Sequence, residues 1–303
     1  MLALLGIGLV FVTIFGGYLL EKGDPWVLMQ PAEFLIIGGA AIGIILVANP
    51  PTVLRKMLKA LQEAFHSPRH TRESYLLHLR MLFEVFSFTR RSGGTLALEA
   101  HVEDPAASAI FSNYPDLLKD RVTLDFFLDS LRMFVMGAGT AHELDHLMDL
   151  DIEIQQRGSH EPVRALASVA DSLPGLGIVA AVLGVVITMQ SIGGSPALIG
   201  EKVAAALVGT FLGILLCYGV VGPVASRLEA RCEAHTHHLQ VLRTGTVAFA
   251  RGTSPILAVE AARRSIPLES RPGFDEMQIT VRREAKIPPA TLPSVPKKAP
   301  SAA

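Results

Sequence analysis

Cysteine and charge are both scarce in this sequence, and each shortage limits what the protein can be. The 303 residues include two cysteines, Cys217 and Cys232, too few to hold a disulfide scaffold together. Charged residues make up 18% of the chain, compared with about 25% in an average soluble domain. The formal net charge is −1, so the composition gives no support for a nucleic-acid partner, which requires a basic patch or stripe.

Catalytic motifs are also missing from most of the chain. There is no G-x-S-x-G turn to hold a nucleophilic serine, no Gly-rich phosphate loop and no Cys–His pair at a recognisable spacing. We therefore predict a protein that is not an enzyme and that needs no cofactor.

One motif opposes this prediction, because residues 142–146 read HELDH and fit H-E-x-x-H. On a helix this pattern places two imidazoles on one face for zinc, with the glutamate as general base. However, Thr140 and Glu143 also form a T-x-x-E capping box, which explains the glutamate by helix initiation alone. The acidic residues that follow favour a solvated helix face, and no third ligand stands out. We predict no metal site here and keep a zinc membrane protease as a remote alternative. Three further histidines are predicted to face solvent on a long helix: His235, His237 and His238.

Long apolar runs dominate what is present. Residues 1–20, 34–54, 172–200 and 203–226 contain no charged side chain. A helix needs roughly 20 apolar residues to cross the hydrocarbon core, where unpaired backbone groups enforce helical structure. The first run does not fit a signal peptide, because it has no basic N-terminal region and no small-residue cleavage site. We predict an all-α integral membrane protein with four transmembrane helices.

The positive charges beside these runs predict the orientation. The second run is followed by Arg55, Lys56 and Lys59, and the fourth by Arg227 and Arg231. Between the first and second runs there is a single lysine, Lys22. By the positive-inside rule, both chain ends are cytoplasmic, and the loops 21–33 and about 193–202 face the other side.

The chain therefore divides into five predicted segments. They are transmembrane helices one and two (1–54), a helical cytoplasmic domain (55–171), transmembrane helices three and four (172–226), a long helical cytoplasmic extension that continues the fourth helix (227–285), and a disordered Pro-, Ala- and Lys-rich tail (286–303). Hydrophobic spacing predicts cytoplasmic helices over 71–91, N-capped by Thr71 and broken at Gly93-Gly94, over 121–136, and over 140–156, closed by Gly158.

Charge is unevenly distributed in the cytoplasmic domain. Residues 55–91 hold eight Lys or Arg against three Glu, and residues 99–161 hold thirteen Asp or Glu against four Lys or Arg. Either the two regions are solvated faces that neutralise each other, or they form a surface that offers both signs to a charged partner.

Small residues line the last two apolar runs. Gly177, Ala181 and Gly184 share one helical face, and Gly213 and Gly219 lie in the fourth run. Because small residues let helix backbones approach closely in membranes, we expect these runs to face other protein helices. None of the four runs contains Asp, Glu, His, Lys or Arg, the ionisable residues that usually mark an ion path. The chain is therefore either a structural or receptor protein, or it depends on a partner subunit that supplies a carboxylate.

Several separated segments together resemble the MotA family of flagellar motor stator subunits. They are FGGYLL and QPAEFLIIGGAAIG in the first pair of helices, LEAHVEDPAASAIFSNYP in the cytoplasmic domain, and DSLPGLGIVAAVLGVV and VGTFLGILLCYGVVGP in the last pair. The resemblance extends from residue 1 to about residue 272. The ExbB and TolQ energisers of other cell-envelope machines are the alternative, and they resemble this chain only in the general character of the last two helices.

The resemblance implies a multi-pass protein of the bacterial inner membrane that converts ion flow into torque, with protons as the favoured ion. In the family, a pentameric ring of this subunit surrounds a dimer of MotB, which supplies the ion-carrying aspartate and the peptidoglycan anchor. The cytoplasmic domain pushes on the rotor protein FliG.

Matching motif to motif assigns residue roles that the resemblance alone implies. Arg91 and Glu99 match the charged pair that contacts the rotor, and the adjacent Arg90 and the weaker match Asp151 are further candidates. Pro174 and Pro223 match two coupling prolines, which would bend their helices near the cytoplasmic edge. Thr210 and Tyr218 match two residues near the ion path. Solvated surface charges, ordinary transmembrane prolines and simple packing are the alternatives for these three groups. Ala100 departs from the family, where a charge often follows the key glutamate.

Overall fold

A computed structural model of the chain describes residues 2–66, 70–92, 94–137, 139–190 and 193–282. The chain divides into two compact units, one formed by residues 1–69 and 150–237 and the other by residues 70–149 and 238–303. The predicted tail, 286–303, lies outside the described residues.

All regular elements of the described residues are helical. In chain order the α-helices are α1 (Leu2–Leu20), α2 (Pro25–Leu28), α3 (Pro31–Ala48), α4 (Pro51–Ala64), α5 (Arg72–Arg91), α6 (Glu99–Glu103), α7 (Pro115–Lys119), α8 (Arg121–Val135), α9 (Ala141–Met189), α10 (Pro196–Leu216), α11 (Gly222–Ala250), α12 (Pro255–Ser265) and α13 (Phe274–Arg282). Short 3₁₀ turns cover Thr95–Leu98, Phe111–Asn113 and Leu268–Ser270, and a π-helical turn covers Cys217–Val221.

Four segments of the described residues are long and apolar enough to cross a bilayer: Leu2–Leu20, Pro25–Ala48, Ala141–Met189 and Pro196–Ala250. The prediction of an all-α membrane protein with four transmembrane helices is thereby confirmed. The expected extension of the fourth helix beyond the membrane is also confirmed, since α11 is helical as far as Ala250.

Helix α9 departs from the sequence prediction. We expected a helix over 140–156 closed by Gly158 and a separate transmembrane helix from residue 172, but one helix of 49 residues continues through both positions. Val163 and Leu166, in the turns after Gly158, are buried in a core with α4 and α11. The free energy of this packing outweighs the poor helix propensity of a single glycine.

In the first unit, α3, α9 and α10 share one core, and α4, α9 and α11 share another. The first core buries Ile37, Ala41, Leu173, Val208 and Leu212. The second buries Val53, Met57, Val163, Leu166 and Leu228. Helix α1 has no fully buried residue, although its Phe15 meets Phe211 of α10 edge-on, with ring centroids 6.4 Å apart. The open apolar surface of α1 suits hydrocarbon or other helices.

Helices α9 and α10 approach each other through glycine. A Cβ atom added at Gly177 would lie 2.7 Å from the carbonyl oxygen of Gly209, and one added at Gly213 would lie 2.5 Å from that of Leu173. The expectation that these small-residue runs face protein is therefore confirmed, and their neighbours include each other.

In the second unit, α5 packs against several other helices. Its start is fixed by the predicted N-cap, since the Ser74 N–H donates to Thr71 Oγ1 at 3.3 Å. Phe86 of α5 stacks on Phe249 of α11 with ring centroids 4.3 Å apart. Beyond the helix, Gly94 has a φ of +130°, which favours glycine and turns the chain away. The C-terminal end of α5 is therefore held by packing on one side and ends in a sharp turn.

Alanine at Gly213 should destabilise the protein, because the added Cβ meets the backbone of α9 and no movable side chain. We expect the free energy of unfolding to fall by about 1–3 kcal/mol, the usual effect of overpacking. Thermal unfolding of the detergent-solubilised Gly213→Ala protein measures this. Gly175→Ala is the matched control, since a Cβ there has no atom within 4 Å. An equally unstable control would contradict the packing argument.

Candidate functional site

Glu33 is a buried carboxylate in a membrane-spanning helix, and the sequence prediction missed it. We placed the start of the second transmembrane helix at residue 34 and left Glu33 in a loop, but α3 begins at Pro31. Glu33 is 7% exposed, and its Oε2 has no hydrogen-bond partner among the described residues. A Cβ added at Gly209 would lie 2.6 Å from this Oε2, so the carboxylate lies against α10. The expectation of transmembrane helices without an ionisable group is therefore wrong at this position.

The two residues predicted near the ion path, Thr210 and Tyr218, have different surroundings. Thr210 is half-buried at the glycine contact, where its Cα lies 3.2 Å from the Cβ position of Gly177. It directly follows Gly209, the residue that Glu33 contacts. Tyr218 is 73% exposed and belongs to the π-helical turn. Thr210 thus adjoins the buried carboxylate, whereas Tyr218 lies on an open face of the chain.

Both predicted coupling prolines lie at interruptions of regular helical hydrogen bonding. Pro174 lies in the interior of α9, and not at the start of a helix as predicted, and it has no N–H to donate to the carbonyl four residues earlier. Pro223 is the second residue of α11. Directly before it, the Gly222 N–H donates to the Cys217 carbonyl, which is the five-residue spacing of a π-turn.

Arg91 and Glu99, the predicted rotor pair, are exposed on either side of one turn. Arg91 is the last residue of α5 and Glu99 is the first of α6, with the 3₁₀ turn Thr95–Leu98 between them. Neither side chain has a hydrogen bond or ion pair with the described residues. The two opposite charges are therefore both available to a partner.

Helix α6, which carries Glu99, is short but well anchored. Its His101 ring meets Phe88 of α5 edge-on, with centroids 4.7 Å apart. From α8, Arg132 Nη2 donates to the carbonyl of Val102 at 3.2 Å. Contacts from both neighbouring helices thus fix the turn that exposes Glu99.

The other two predicted rotor-contact residues already have partners within the chain. Arg90 Nη2 donates to the carbonyls of Gly252 and Thr253 at 2.8 and 3.2 Å. Asp151 belongs to the first unit, on α9, and its Oδ1 accepts a hydrogen bond from Gln155 at 3.0 Å. A rotor contact by either residue stays a prediction.

The HELDH motif forms a helix start. The Thr140 N–H donates to Glu143 Oε2 at 2.6 Å and the Glu143 N–H donates to Thr140 Oγ1 at 3.3 Å, which confirms the capping box. The hydrogen bonds that the Thr140 N–H and then its hydroxyl donate to Glu143 Oε2 lower the pKa of this carboxyl. Among the residues described, no group of three or more His, Cys, Asp or Glu side chains could hold a metal ion. The following acidic face is only partly solvated, because Asp145 and Asp149 both form ion pairs with Arg243.

His238, which we predicted to face solvent, is 1% exposed. Its ring stacks on His70 with centroids 4.5 Å apart and meets the His78 ring edge-on at 4.4 Å. Burial lowers the pKa of His78, while the Ser74 carbonyl and Asp120 act in the opposite direction. The prediction failed because helical periodicity alone does not reveal which face of a polar helix another helix covers.

Comparison with known proteins gives this arrangement a context. The Motility protein A N-terminal family matches residues 4–93, and the MotA/TolQ/ExbB proton channel family matches residues 119–241. Motility protein A of Salmonella typhimurium is 39% identical over 282 residues, which is 93% of this chain and 95% of that protein. The chain belongs to the motility protein A family. Chemotaxis protein LafT of Vibrio parahaemolyticus is also 39% identical, over 90% of this chain and 96% of its own length.

Membership of the motility protein A family decides between the functional alternatives. The match of residues 4–93 to the motility protein A N-terminal family favours a flagellar stator subunit over an ExbB- or TolQ-type energiser. The family consists of channel and motor subunits that are not enzymes, which excludes the zinc protease. The fold agrees, since the MotAB stator complex of Bacillus subtilis matches with a TM-score of 0.72 and 25% identity, over 88% of this chain and 96% of that one.

The half-buried His78 should make the protein less stable in mild acid. Because its pKa in the folded state is below the ordinary value of 6.5, its neutral form stabilises the fold fully above that pH. This stabilisation is lost as the pH falls below 6.5, where the unfolded chain binds the proton more readily. We expect His78→Gln to reduce the fall in melting temperature between about pH 7.5 and about pH 5.5.

His237→Gln is the control for this experiment, since His237 is exposed on the same helix as His238. Its melting temperature should depend on pH as that of the unmodified protein does. An identical pH dependence in all three proteins would show that His78 has no such effect.

Proposed function

We propose that this member of the motility protein A family, a stator subunit of the flagellar motor, forms its ion channel together with a MotB-type partner and drives a FliG-type rotor protein. The observation that carries the proposal is helical continuity. Helix α9 passes from an uncharged transmembrane run into polar extramembrane turns without a loop, and α11 does the same after α10. Such elements can transmit a tilt from the membrane to the segments outside it.

The proposed assembly follows the family arrangement, with a pentameric ring of this subunit around a MotB-type dimer in the bacterial inner membrane. The MotAB complex of Bacillus subtilis supports the partner. Residues 1–54 and 172–226 would lie in the membrane, and residues 55–171 and 227–285, with both chain ends, in the cytoplasm. Exposed apolar side chains on the outer face of α9 support a further helix contact: Ile178, Val182, Val185 and Val186.

Glu33 extends the proposed ion path into this subunit. In the proposed orientation it lies in the first turn of α3, near the side opposite the cytoplasm. A buried carboxylate whose Oε2 has no hydrogen-bond partner within the described part of the chain is costly when ionised, so it favours proton uptake or an approaching cation. Thr210, next to the Glu33 contact, would continue the path, with Tyr218 further along the same helical segment. The partner's carboxylate would carry the ion beyond this point.

Pro174 and Pro223 are the proposed coupling points. Each removes one helical hydrogen bond, so bending at these positions costs less than at a non-proline residue of the same helix. Charge uptake near Thr210 would then change the tilt of the extramembrane turns that follow. Arg91 and Glu99 would receive the resulting movement as a push against opposite charges on the rotor. Asp151 is a further candidate contact.

Ion flux should require the partner subunit. Reconstituted alone in vesicles, the chain should pass no ions at steady turnover, because runs 172–200 and 203–226 contain no Asp, Glu, His, Lys or Arg. Together with a MotB-type partner, flux should appear, and Glu33→Gln should lower it severalfold. Glu201→Gln is the control, since Glu201 is an exposed carboxylate on α10.

Steady flux through the chain alone would overturn the requirement for a partner. Unchanged flux in Glu33→Gln would remove Glu33 from the path and leave the rest of the proposal intact.

Charge reversal should test the rotor contact. Arg91→Glu and Glu99→Lys should each reduce motor torque, because each replaces an ion pair with the rotor by a repulsion. Opposite reversals in the rotor protein should restore the torque by re-forming these exposed pairs, which contribute about 0.2–1 kcal/mol each. Torque of tethered cells at fixed ionic strength is the measurement. Glu103→Lys is the control, since Glu103 is also exposed on α6, one turn after Glu99. Normal swimming of the Arg91→Glu/Glu99→Lys double variant would contradict the contact.

A further inference from the structure

Arg90 and Arg91 are adjacent in the last turn of α5 but have different surroundings. Arg90 Nη2 donates to the carbonyl oxygens of Gly252 and Thr253, at 2.8 and 3.2 Å. The Arg91 side chain is exposed and has no hydrogen bond or ion pair with the described residues. Successive residues of a helix point about 100° apart. One arginine of the pair can therefore face a neighbouring segment while the other faces solvent.

The turn that accepts the Arg90 hydrogen bonds is a Schellman motif at the end of α11. The Gly252 N–H donates to the Phe249 carbonyl at 2.9 Å, and the Thr253 N–H donates to the Ala248 carbonyl at 3.4 Å. Gly252 has a φ of +88°, as this motif requires. The carbonyl oxygens beyond the last helical turn lie at the negative end of the helix dipole, which favours a guanidinium there.

A second contact joins the same two helices one turn earlier. Phe86, four residues before Arg90, stacks on Phe249 with ring centroids 4.3 Å apart and an interplanar angle of 9°. Residues four apart share one face of a helix. Phe86 and Arg90 therefore form a continuous contact along α5, first with the last turn of α11 and then with the turn after it.

We infer that Arg90 is a positioning residue, which holds the last turn of α5 on the turn that ends α11 and so fixes the direction in which Arg91 is displayed. The inference rests on the proposed rotor contact of Arg91. It gives the two arginines separate roles, in place of the shared contact that their adjacency suggested. The fourth transmembrane helix continues into α11, so Arg90 also links the end of that helix to the segment that carries the rotor charge.

Rescue by rotor charge distinguishes a positioning residue from a contact residue. Arg90→Glu and Arg91→Glu should both lower the stall torque per stator unit severalfold. The rotor reversal that restores Arg91→Glu should leave Arg90→Glu impaired, because its lost partners are carbonyl groups of its own chain. Arg90→Lys should recover much of the torque, since an ammonium can donate to the same oxygens. Protein abundance and melting temperature, measured in parallel, identify any variant that fails to fold.

A double-mutant cycle with the acceptor turn gives an independent measurement. Gly252→Ala strains the turn, because alanine rarely adopts a φ of +88°. If Arg90 acts through this turn, Arg90→Gln and Gly252→Ala should each lower torque. The torque of the double variant should then be no lower than that of the more impaired single variant. Gly137→Ala is the control, since Gly137 has a φ of +62° in the same unit and a Cβ added there has no atom within 4 Å.

The outcomes separate this inference from the proposed function. Rescue of Arg90→Glu by the rotor reversal, or additive effects of Arg90→Gln and Gly252→Ala, would overturn the positioning role and leave the rotor contact of Arg91 standing. Failure to rescue Arg91→Glu would count against the rotor contact itself. A non-additive cycle together with rescue of Arg91→Glu alone would support both.

Discussion

The glycine contact between α9 and α10 is the constraint on which the membrane part of this protein depends. Lipid offers no hydrophobic drive for helix association, so the two helices are held by close van der Waals contact. Gly177 and Gly213 permit that contact because neither has a side chain to keep the backbones apart. Gly209 also lacks a side chain, and this leaves room for the Glu33 carboxylate of α3. Any larger residue at position 209 would displace that carboxylate. The buried charge and the close packing thus have one structural origin.

The exposed charges of Arg91 and Glu99 depend on a different kind of support. An exposed ion pair is weak and is screened by salt, so its effect on a partner comes mainly from where its members are held. Here α5 is fixed by the Phe86–Phe249 stack, and α6 is fixed by Phe88 and Arg132. Ring contacts and hydrogen bonds to carbonyl groups, which salt hardly affects, therefore position Arg91 and Glu99. The ion pairs that these two residues form with a partner are the interactions that salt weakens most easily.

Much of the fold could be predicted from the sequence because the bilayer imposes a simple rule. Uncharged runs of sufficient length must be helices, and the N-cap at Thr71 and the capping box at Thr140 have local signatures. The continuous α9 could not be predicted, since Gly158 ends a helix by propensity and only tertiary packing decides otherwise. The burial of His238 failed for the same reason.

The candidate site was predictable to a lesser degree. Motifs pointed to Arg91 and Glu99, but no pattern in the sequence shows that Arg90 binds carbonyl oxygens while Arg91 is exposed, because hydrogen bonds to distant carbonyls leave no trace in composition. Glu33 was missed because counting uncharged residues places a helix boundary at the charge. A signal was present nonetheless: Pro31 is a favoured first residue of a helix, and an acidic residue in the first turn suits its dipole.

The π-helical turn at Cys217–Val221 affects how the two halves of this long helical segment are related. One extra residue in a turn shifts the angular phase of everything after it by about 100° relative to an uninterrupted α-helix. The side chains of α10 that face α9 before the turn are therefore not in line with the side chains of α11 that face other helices after it. Relaxation of the π-turn into regular geometry would rotate α11 about its own axis. The side chains of α11 would then point in new directions, while the helix itself stayed continuous.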